Sequence, residues 1–271
     1  MAAKTICVAN QKGGVGKTTT VINLSTSLAL CGKKTLIVDI DPQGNAGSGL
    51  GHGQGAEDHP TIYDALVEGK PMGSVVQKTP IANLFLACSN IDLTGAEIEL
   101  VSMPEREFRL RKCLDQVRGD FDFIIIDCPP SLGLLTINSL VASDSVLIPL
   151  QCEYYALEGL SQLLNTIKRV KASLNPELAL EGILLTMYDK RNNLSREVAE
   201  DIMKHFSTKV FKVVVPRTVR LAECPSHGKP IYYYDKQSVA TQCYLDLAQQ
   251  VLERSGMAVA ETVADAAIEL N

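Results

Sequence analysis

The sequence lacks the features that mark membrane-spanning, disulfide-stapled and zinc-binding proteins. No apolar run reaches 18 residues, which argues against a membrane-spanning helix. The first residues do not combine a basic segment with a long apolar one, so we expect no secretory signal and a soluble, cytoplasmic chain. The eight cysteines form no C-x-x-C pair and stand at no ligand spacing from the four histidines, which predicts reduced thiols in the core.

Positive charge is scarce overall, but it is unevenly distributed. The 26 Lys and Arg residues against 31 Asp and Glu residues give a net charge of −5, which argues against binding nucleic acid through bulk charge. Segment 202–222 nevertheless contains no acid and five cations, Lys204, Lys209, Lys212, Arg217 and Arg220. This distribution leaves open a local anion-binding surface or simply a solvated face.

Apolar segments set the expected fold. At 46% hydrophobic residues, the 271-residue chain can bury one sizeable core, and fixed-period repeats and Pro/Gly/Ser-rich linkers are missing. Continuous apolar runs such as 123–126 are typical of parallel strands buried on both faces. Their alternation with helical stretches predicts a single doubly wound α/β domain over 1–252, with a mostly parallel sheet flanked by helices. The Ala-rich, acidic segment 253–271 predicts a flexible tail. The predicted strands are 5–9, 35–40, 83–87, 121–127, 145–150, 182–187 and 210–215, and the predicted helices are 18–30, 106–116, 134–142, 157–172, 196–206 and 239–252.

A glycine-rich segment at the first predicted strand-to-helix junction carries the strongest functional signal. Its glycines let backbone N–H groups surround phosphate oxygens, and the following helix N-terminus favours the same anion. A plain glycine-rich connection is the alternative. In a phosphate cradle, Lys17 would reach the β- and γ-phosphates and the Thr18 hydroxyl would coordinate Mg²⁺. The segment therefore predicts ATP or ADP with Mg²⁺ as ligands, held by Lys12, Gly13, Gly14, Val15, Gly16, Lys17, Thr18 and Thr19.

Carboxylates close two further predicted strands. Asp39 and Asp41 follow a buried run, where alternation places both on one side at the carboxyl end of the sheet. Asp41 is our candidate for holding the attacking water, whereas capping of the following turn is an equally good interpretation for Asp39. Asp127 ends another run after four apolar residues and fits an acid that holds Mg²⁺ directly or through water.

The chain resembles a known family in several motifs. KGGVGKTT at 12–19 departs from the strict P-loop pattern, which has Gly at position 11, and resembles the deviant Walker A motif of ATPases that include ParA/Soj, MinD and the nitrogenase iron protein. Five further segments resemble motifs of the ParA/Soj chromosome-partitioning subgroup. They are VDIDPQGNA at 38–46, IDCPPSL at 126–132, QCEYYALEG at 151–159, LTMYD at 185–189 and PRTVRLAE at 216–223. This similarity covers roughly residues 4 to 252.

The resemblance implies an ATPase of the P-loop NTPase class that converts ATP and water to ADP and phosphate, with Lys12, Lys17, Asp41 and Asp127 as catalytic residues. Thr18, Asp41 and Asp127 would form the Mg²⁺ site. It further implies that Lys12 reaches across a dimer interface to the nucleotide of a partner subunit. A solvent-exposed loop lysine is the alternative for Lys12.

The same resemblance implies a partitioning switch. An ATP-bound sandwich homodimer would bind double-stranded DNA without sequence preference and would be nucleoid-associated. A ParB/Spo0J-type centromere-binding protein would stimulate hydrolysis and release the dimer. Pro216 and Arg217 match positions near the adenine, and Arg191 and Arg220 match phosphate-contacting arginines of the DNA surface. Thr218 stands where many relatives carry Asn, so that contact is not carried over.

Two related classes fit the sequence less well. A MinD-like membrane-associated positioning ATPase is the alternative function, and it would need a basic amphipathic C-terminal helix. Segment 253–271 instead contains one cation and four acids, so we expect no membrane partner. An iron–sulfur protein like the nitrogenase iron protein would need two cluster cysteines, and the contexts of Cys88, Cys113 and Cys128 do not match those ligands.

Overall fold

A central sheet of eight strands organises the part of the chain that the structure, a computed structural model, describes, namely residues 2–52 and 59–257. The strands are β1 (Lys4–Val8), β2 (Thr35–Asp39), β3 (Val76–Lys78), β4 (Leu84–Ala87), β5 (Phe123–Asp127), β6 (Ser145–Gln151), β7 (Ala179–Tyr188) and β8 (Val210–Pro216). Their spatial order is β3-β4-β2-β5-β1-β6-β7-β8. Only β3, at one edge, is antiparallel to its neighbour among these strands.

Helices cover both faces of the sheet because each central strand is apolar on both sides. Ile124 and Ile126 of β5 join one apolar cluster, whereas Phe123 and Ile125 join the other. The first cluster packs under the helices that contribute Leu110, Leu135, Leu163 and Val198, and the second under those that contribute Val21 and Leu247. The helices are α1 (Lys17–Leu30), α2 (Asn45–Gly49), α3 (Met72–Val75), α4 (Leu93–Glu99), α5 (Arg109–Asp115), α6 (Leu134–Ala142), α7 (Ala156–Ser173), α8 (Asn193–Phe206), α9 (Val219–Glu223), α10 (Ile231–Tyr234) and α11 (Val239–Arg254).

The strand order brings three loops together. β5 lies between β1 and β2, and all three strands run in the same direction. Their carboxyl ends are therefore adjacent, with Val8, Asp127 and Asp39 side by side in register. This edge is where ligands bind in doubly wound sheets.

The predicted fold class is confirmed, with differences in detail. All seven predicted strands are present, whereas β3 and the short helices α2, α3, α4, α9 and α10 were not predicted. α8 begins three residues earlier than expected, because the Asn192 side chain accepts a hydrogen bond from Leu194 N and so caps the helix. α5 is shorter than the predicted helix, since 3₁₀ turns precede it.

The C-terminal boundary also differs from the prediction. α11 continues to Arg254, so the first residues of the predicted tail 253–271 belong to the folded domain. The Arg254 guanidinium lies 4.0 Å from the centre of the Phe211 ring, which fixes this helix end on β8. Residues 258–271 of the predicted tail lie outside the described residues.

Two further sequence-based expectations concern cysteines and membranes. All eight cysteines are free thiols, and all but the half-buried Cys88 are buried, as predicted. Within 2–52 and 59–257, the helices do not combine the length and apolar character needed to cross a bilayer.

Candidate functional site

The loop between β1 and α1 forms an open cradle of backbone groups. Gly14 and Gly16 adopt left-handed conformations with φ of +74° and +89°, which side chains rarely tolerate. Gly16 caps α1 without a side-chain hydrogen bond, so no cap side chain occupies the first N–H groups of the helix. A Cβ atom built on Gly13 or Gly14 would meet no atom within 4 Å. The loop therefore offers N–H groups and space to an anion.

Neighbouring strands anchor this loop. The Thr186 hydroxyl on β7 donates a hydrogen bond to Val15 O at 2.9 Å, and the Asn10 amide donates to Pro149 O on β6 at 2.7 Å. Asn10 Oδ1 in turn accepts a hydrogen bond from Lys12 N at 3.0 Å. Sequence reasoning missed Asn10 and Thr186 as positioning residues, although Thr186 lies in the LTMYD motif.

Lys17 is buried at the base of the cradle. Its ammonium donates a hydrogen bond to Lys12 O at 3.2 Å, across the loop. Burial lowers its pKa, whereas the carboxylates of Asp127 and Asp41 act in the opposite direction. Thr18 and Thr19 follow in the first turn of α1 and are half-buried. The predicted phosphate-loop residues are thus brought together around one loop.

Asp127 is a fully buried carboxylate at the end of β5. Neither of its oxygens has a hydrogen-bond partner of ordinary geometry among the described residues. Burial raises the pKa of Asp127 to about 7, while the nearby Thr18 hydroxyl and the Lys17 ammonium oppose this rise. An unpartnered buried carboxylate beside a hydroxyl supplies the oxygen ligands that Mg²⁺ prefers.

The chemistry of these donors fits Mg²⁺ shared with a phosphate. Among residues 2–52 and 59–257, no group of three His, Cys, Asp or Glu side chains could enclose a metal. Mg²⁺ is commonly held by one or two protein oxygens together with substrate phosphates, so a complete protein cage is not required. Thr18 and Asp127 are the residues that would supply those oxygens.

Asp39 and Asp41 differ in burial and in hydrogen bonding, which the sequence left open. Asp39 is fully buried and accepts hydrogen bonds from Asp41 N and Ala46 N, both at 3.0 Å. Burial and the adjacent Asp127 raise the pKa of Asp39 well above its usual range. Asp39 therefore caps the turn after β2, which is one of the interpretations that the sequence left open.

Asp41 takes part in the same turn and still presents one oxygen. Its Oδ1 accepts a hydrogen bond from Gln43 N at 3.0 Å, and its carbonyl accepts one from the Ser89 hydroxyl at 2.5 Å. No described residue donates a hydrogen bond to its other carboxylate oxygen. This oxygen is available to a water or to a metal-bound water.

Lys12 contributes its backbone to the cradle, whereas its side chain pairs with an acid outside the phosphate loop. Its half-exposed side chain makes an ion pair with Glu153 in the loop after β6. Sequence reasoning quoted Glu153 within the motif at 151–159 but did not identify it as the partner of Lys12.

The remaining predicted residues lie at the β7–β8 end of the same edge. Pro216 ends β8, and Arg217 N donates a hydrogen bond to Tyr188 O at 3.1 Å. Arg191 is highly exposed and pairs with Asp189 at 2.9 Å, which lowers the pKa of Asp189 to about 2. These residues form a rim near the ends of β7 and β8.

Arg220 has a different setting from the one that the sequence suggested. It lies in a segment without acids, yet Glu223 is 3.3 Å and Asp235 3.5 Å from its guanidinium. Thr218 accepts a hydrogen bond from Arg220 N and caps α9, which gives this residue a structural role. Acids from outside the 202–222 segment thus compensate Arg220 in space.

A phosphate-binding loop at the first strand-to-helix junction, with a buried acid on the adjacent strand, defines a P-loop nucleotide-binding protein. The protein-family model described as "AAA domain" matches residues 3–180. The chain is 57% identical to the chromosome partitioning protein ParA of Myxococcus xanthus, covering 92% of this chain and 88% of that protein. It is 56% identical to the sporulation initiation inhibitor protein Soj of Bacillus subtilis, covering 92% and 98%. The chain belongs to the ParA/Soj family of chromosome-partitioning ATPases.

Solved structures agree with this assignment. A cobyrinic acid a,c-diamide synthase from Mycobacterium smegmatis with bound ATP analogue and magnesium has a TM-score of 0.82 and 37% identity, covering 94% of this chain and 96% of that chain. The septum site-determining protein MinD of Pyrococcus horikoshii, complexed with Mg-ADP, has a TM-score of 0.78 and 25% identity, covering 94% and 98%. The predicted family, fold and ATPase class are confirmed, and ATP or ADP with Mg²⁺ are ligands of this class.

Because Asp127 is buried without a partner among the described residues, we expect the free energy of unfolding of the nucleotide-free protein to depend on pH. Its folded-state pKa is raised, so the folded protein binds more protons than the unfolded chain between about pH 4 and pH 7, and stability falls as pH rises through this range. Asp127→Asn should therefore raise the melting temperature by a few degrees at about pH 8 and by less at about pH 5. Differential scanning fluorimetry without nucleotide measures this.

The same variant tests the metal assignment. Asp127→Asn should lose the additional stabilisation that Mg²⁺ gives in the presence of ATP, because a neutral amide is a weaker ligand. Asp201→Asn, which replaces an exposed residue of α8, is the matched control and should behave like the parent protein. A magnesium increment that survives in Asp127→Asn would contradict the assignment.

Proposed function

We propose that this chain is an ATP-dependent partitioning switch whose ATP-bound sandwich dimer binds double-stranded DNA without sequence preference. A ParB/Spo0J-type protein would stimulate hydrolysis and release the dimer, and the protein would act in the cytoplasm, on the nucleoid. The observation that carries this proposal is the lysine pair of the phosphate loop. Lys17 is buried in the cradle, whereas Lys12 is exposed beside it.

Hydrolysis of the terminal phosphate bond depends mainly on positioning and on neutralising negative charge. The backbone N–H groups of residues 13–18 would hold the phosphates, and the Lys17 ammonium would neutralise charge where the bond breaks. Mg²⁺, when bound to Thr18 and Asp127, would supply further positive charge. Asp127 needs this cation more than most carboxylates do, since its oxygens are buried without partners.

Asp41 would orient the attacking water. It lies two residues beyond the end of β2, close enough to Asp127 and Lys17 to influence the pKa of both. The hydrogen bonds from Gln43 N and Ser89 fix its backbone and one oxygen, so the other oxygen has a defined direction. A fixed acceptor at this point can hold a water for attack on the terminal phosphate.

Replacement of Asp41 should separate nucleotide binding from hydrolysis. Asp41→Asn keeps an oxygen that can accept from Gln43 N but weakens the water-holding acceptor, so we expect turnover to fall about 100-fold or more. ATP affinity should change little because the cradle is intact, and ATP dimers should accumulate. Phosphate release and gel filtration with ATP measure these effects, and a monomer-only profile with ATP would contradict the role of Asp41.

Lys12 supports dimer formation through its position. Its side chain is half exposed at the open mouth of the cradle, and its partner Glu153 is also half exposed. An exposed ion pair contributes only about 0–1 kcal/mol, so a triphosphate brought by a second copy can compete with Glu153 for the lysine. ATP would then join two subunits, because each lysine neutralises phosphate charge on the other.

Lys12→Ala should leave ATP binding by the monomer nearly unchanged and abolish the ATP dimer. Light scattering with a non-hydrolysable ATP analogue measures dimer formation, and a fluorescent analogue measures binding. Lys168→Ala, an exposed lysine on α7, is the matched control. If Lys12 is only a surface residue, its removal should change dimerisation by no more than about 0.5 kcal/mol, which would exclude the role across the interface.

DNA binding would use cations near the ends of β7 and β8. Arg191 is highly exposed, and its pairing with Asp189 is a surface ion pair that phosphate can replace. Arg220 is half exposed and carries two acidic neighbours, so its contribution would be smaller. With a net charge of −5, one subunit attracts DNA poorly, and a dimer would present two copies of each arginine.

The salt dependence of DNA binding tests this surface. Each neutralised phosphate contributes roughly −0.9 to the slope of log affinity against log salt, so losing one arginine per subunit should reduce the slope by about 2 per dimer. We expect this for Arg191→Ala and a smaller change for Arg220→Ala, with two unrelated duplexes bound equally. Arg111→Ala, which replaces an exposed residue of α5, is the control. Unchanged slopes in both variants, or a strong preference for one duplex, would show that the surface is elsewhere.

A further inference from the structure

A groove with an apolar floor and a cationic rim runs beside β8, the edge strand of the sheet. Its volume is about 720 Å³. Val214 of β8 and Ala199 of α8 contribute to the floor, and Met203 of α8 is 42% exposed there. α8 buries Val198 and Ile202 against the sheet and leaves Met203 exposed. Part of the floor is therefore apolar surface that the described residues leave open.

The rim of this groove is positively charged. Lys190, Arg191, Lys212 and Arg217 line it, and Asp189 is the single acid among its described lining residues. Asp189 is already paired with Arg191. The rim therefore keeps an excess of positive charge, in a protein whose net charge is −5. An occupant should combine negative charge with apolar side chains.

Segment 258–271 of this chain has that composition. It reads AVAETVADAAIELN, with three acids and no cation. Glu261, Asp265 and Glu269 recur at every fourth position, whereas Val259, Val263 and Leu270 share a different phase of the 3.6-residue period. In a helix the segment would thus have an apolar side and an acidic side that also carries Ile268, which suits a groove with an apolar floor and a cationic rim.

The described chain leads to this groove. The Arg254 guanidinium contacts the Phe211 ring and lies 3.5 Å from Val210 O, so α11 ends beside the start of β8. The strand from Val210 to Pro216 is roughly 20 Å long at 3.3 Å per residue. Fourteen residues span roughly 21 Å as a helix and more when extended, which matches this length. α11 and Met257 pack on one face of the sheet and the groove floor lies on the other, so the segment would reach the groove around β8, which is the edge strand.

We propose that segment 258–271 docks in the β8 groove of its own subunit, with its acids on the cationic rim and its apolar residues on Met203 and Val214. Nucleic acid fits the groove less well, because a phosphate backbone would pair with the rim but leave the apolar floor uncovered. Docking in the same subunit is favoured over docking in a second copy, since a short tether gives an effective concentration on the order of 1 mM.

One consequence concerns DNA and rests on the proposed function. Arg191 belongs both to the groove rim and to the DNA surface, so the docked segment would compete with DNA for this arginine. Removal of the acids from the segment would then strengthen DNA binding at low salt. The docking itself does not depend on nucleotide or DNA.

Hydrogen exchange on the full-length chain, without nucleotide or DNA, tests the docking. Lys212→Glu reverses one rim charge and Met203→Asp places a charge on the floor, and both side chains are exposed, so the fold should survive. With an effective concentration of about 1 mM and an intrinsic Kd of about 0.1 mM, segment 258–271 should exchange about tenfold more slowly in the parent protein than in either variant. Lys204→Glu, an exposed α8 lysine outside the groove lining, is the matched control and should retain this protection.

Three results would overturn the proposal. Equal exchange of segment 258–271 in the parent protein and in both groove variants would show that the groove does not hold it. Protection that disappears on dilution would assign the segment to a second copy. Groove protection that arises only when duplex DNA is added would assign the groove to nucleic acid. A protein that shows tenfold protection but binds no DNA would support the docking and contradict the proposed function alone.

Discussion

The buried carboxylate of Asp127 is the constraint around which the site is arranged. Both oxygens are fully enclosed and lack partners among the described residues, and burial raises the pKa of the group to about 7. An unpaired buried charge costs several kcal/mol unless a cation or hydrogen bonds compensate it. Lys17 compensates part of this cost, and its own pKa is lowered by the same burial. Binding of a divalent cation with nucleotide would supply the remainder, so ligand binding and stability are linked through one side chain.

The order of the strands makes this arrangement possible. β5 lies between β1 and β2, which places the phosphate loop, the Asp41 turn and Asp127 at one edge although about 120 residues separate them in the sequence. Asp39 fixes the turn by accepting two backbone hydrogen bonds, while Thr186 and Asn10 hold the phosphate loop to β7 and β6. Positioning residues thus come from strands on both sides of the site.

Surface charge has a different distribution in space than along the chain. Lys12, Arg191 and Arg220 each lie next to acids, and the partner of Lys12 is 141 positions away. Around the β8 groove, Lys190, Lys212 and Arg217 stand beside the Arg191–Asp189 pair, where an apolar floor accompanies them. Exchange between weak ion pairs, phosphate and acidic side chains is the property that would allow such a surface to respond to its ligands.

The sequence by itself determined the features that depend on local chemistry. Runs such as 123–126 indicated strands buried on both faces, and the glycines of segment 12–19 indicated a phosphate-binding loop, because periodicity and steric freedom are local. Lys17, Thr18 and Asp127 could be assigned to one site from motifs and their position after strands. Only the tertiary structure decided that Asp39 caps a turn and that β3 forms an antiparallel edge. It also paired Glu153 with Lys12 and Asp235 with Arg220. These contacts join residues distant in sequence, and their energies depend on burial and geometry that no local pattern records.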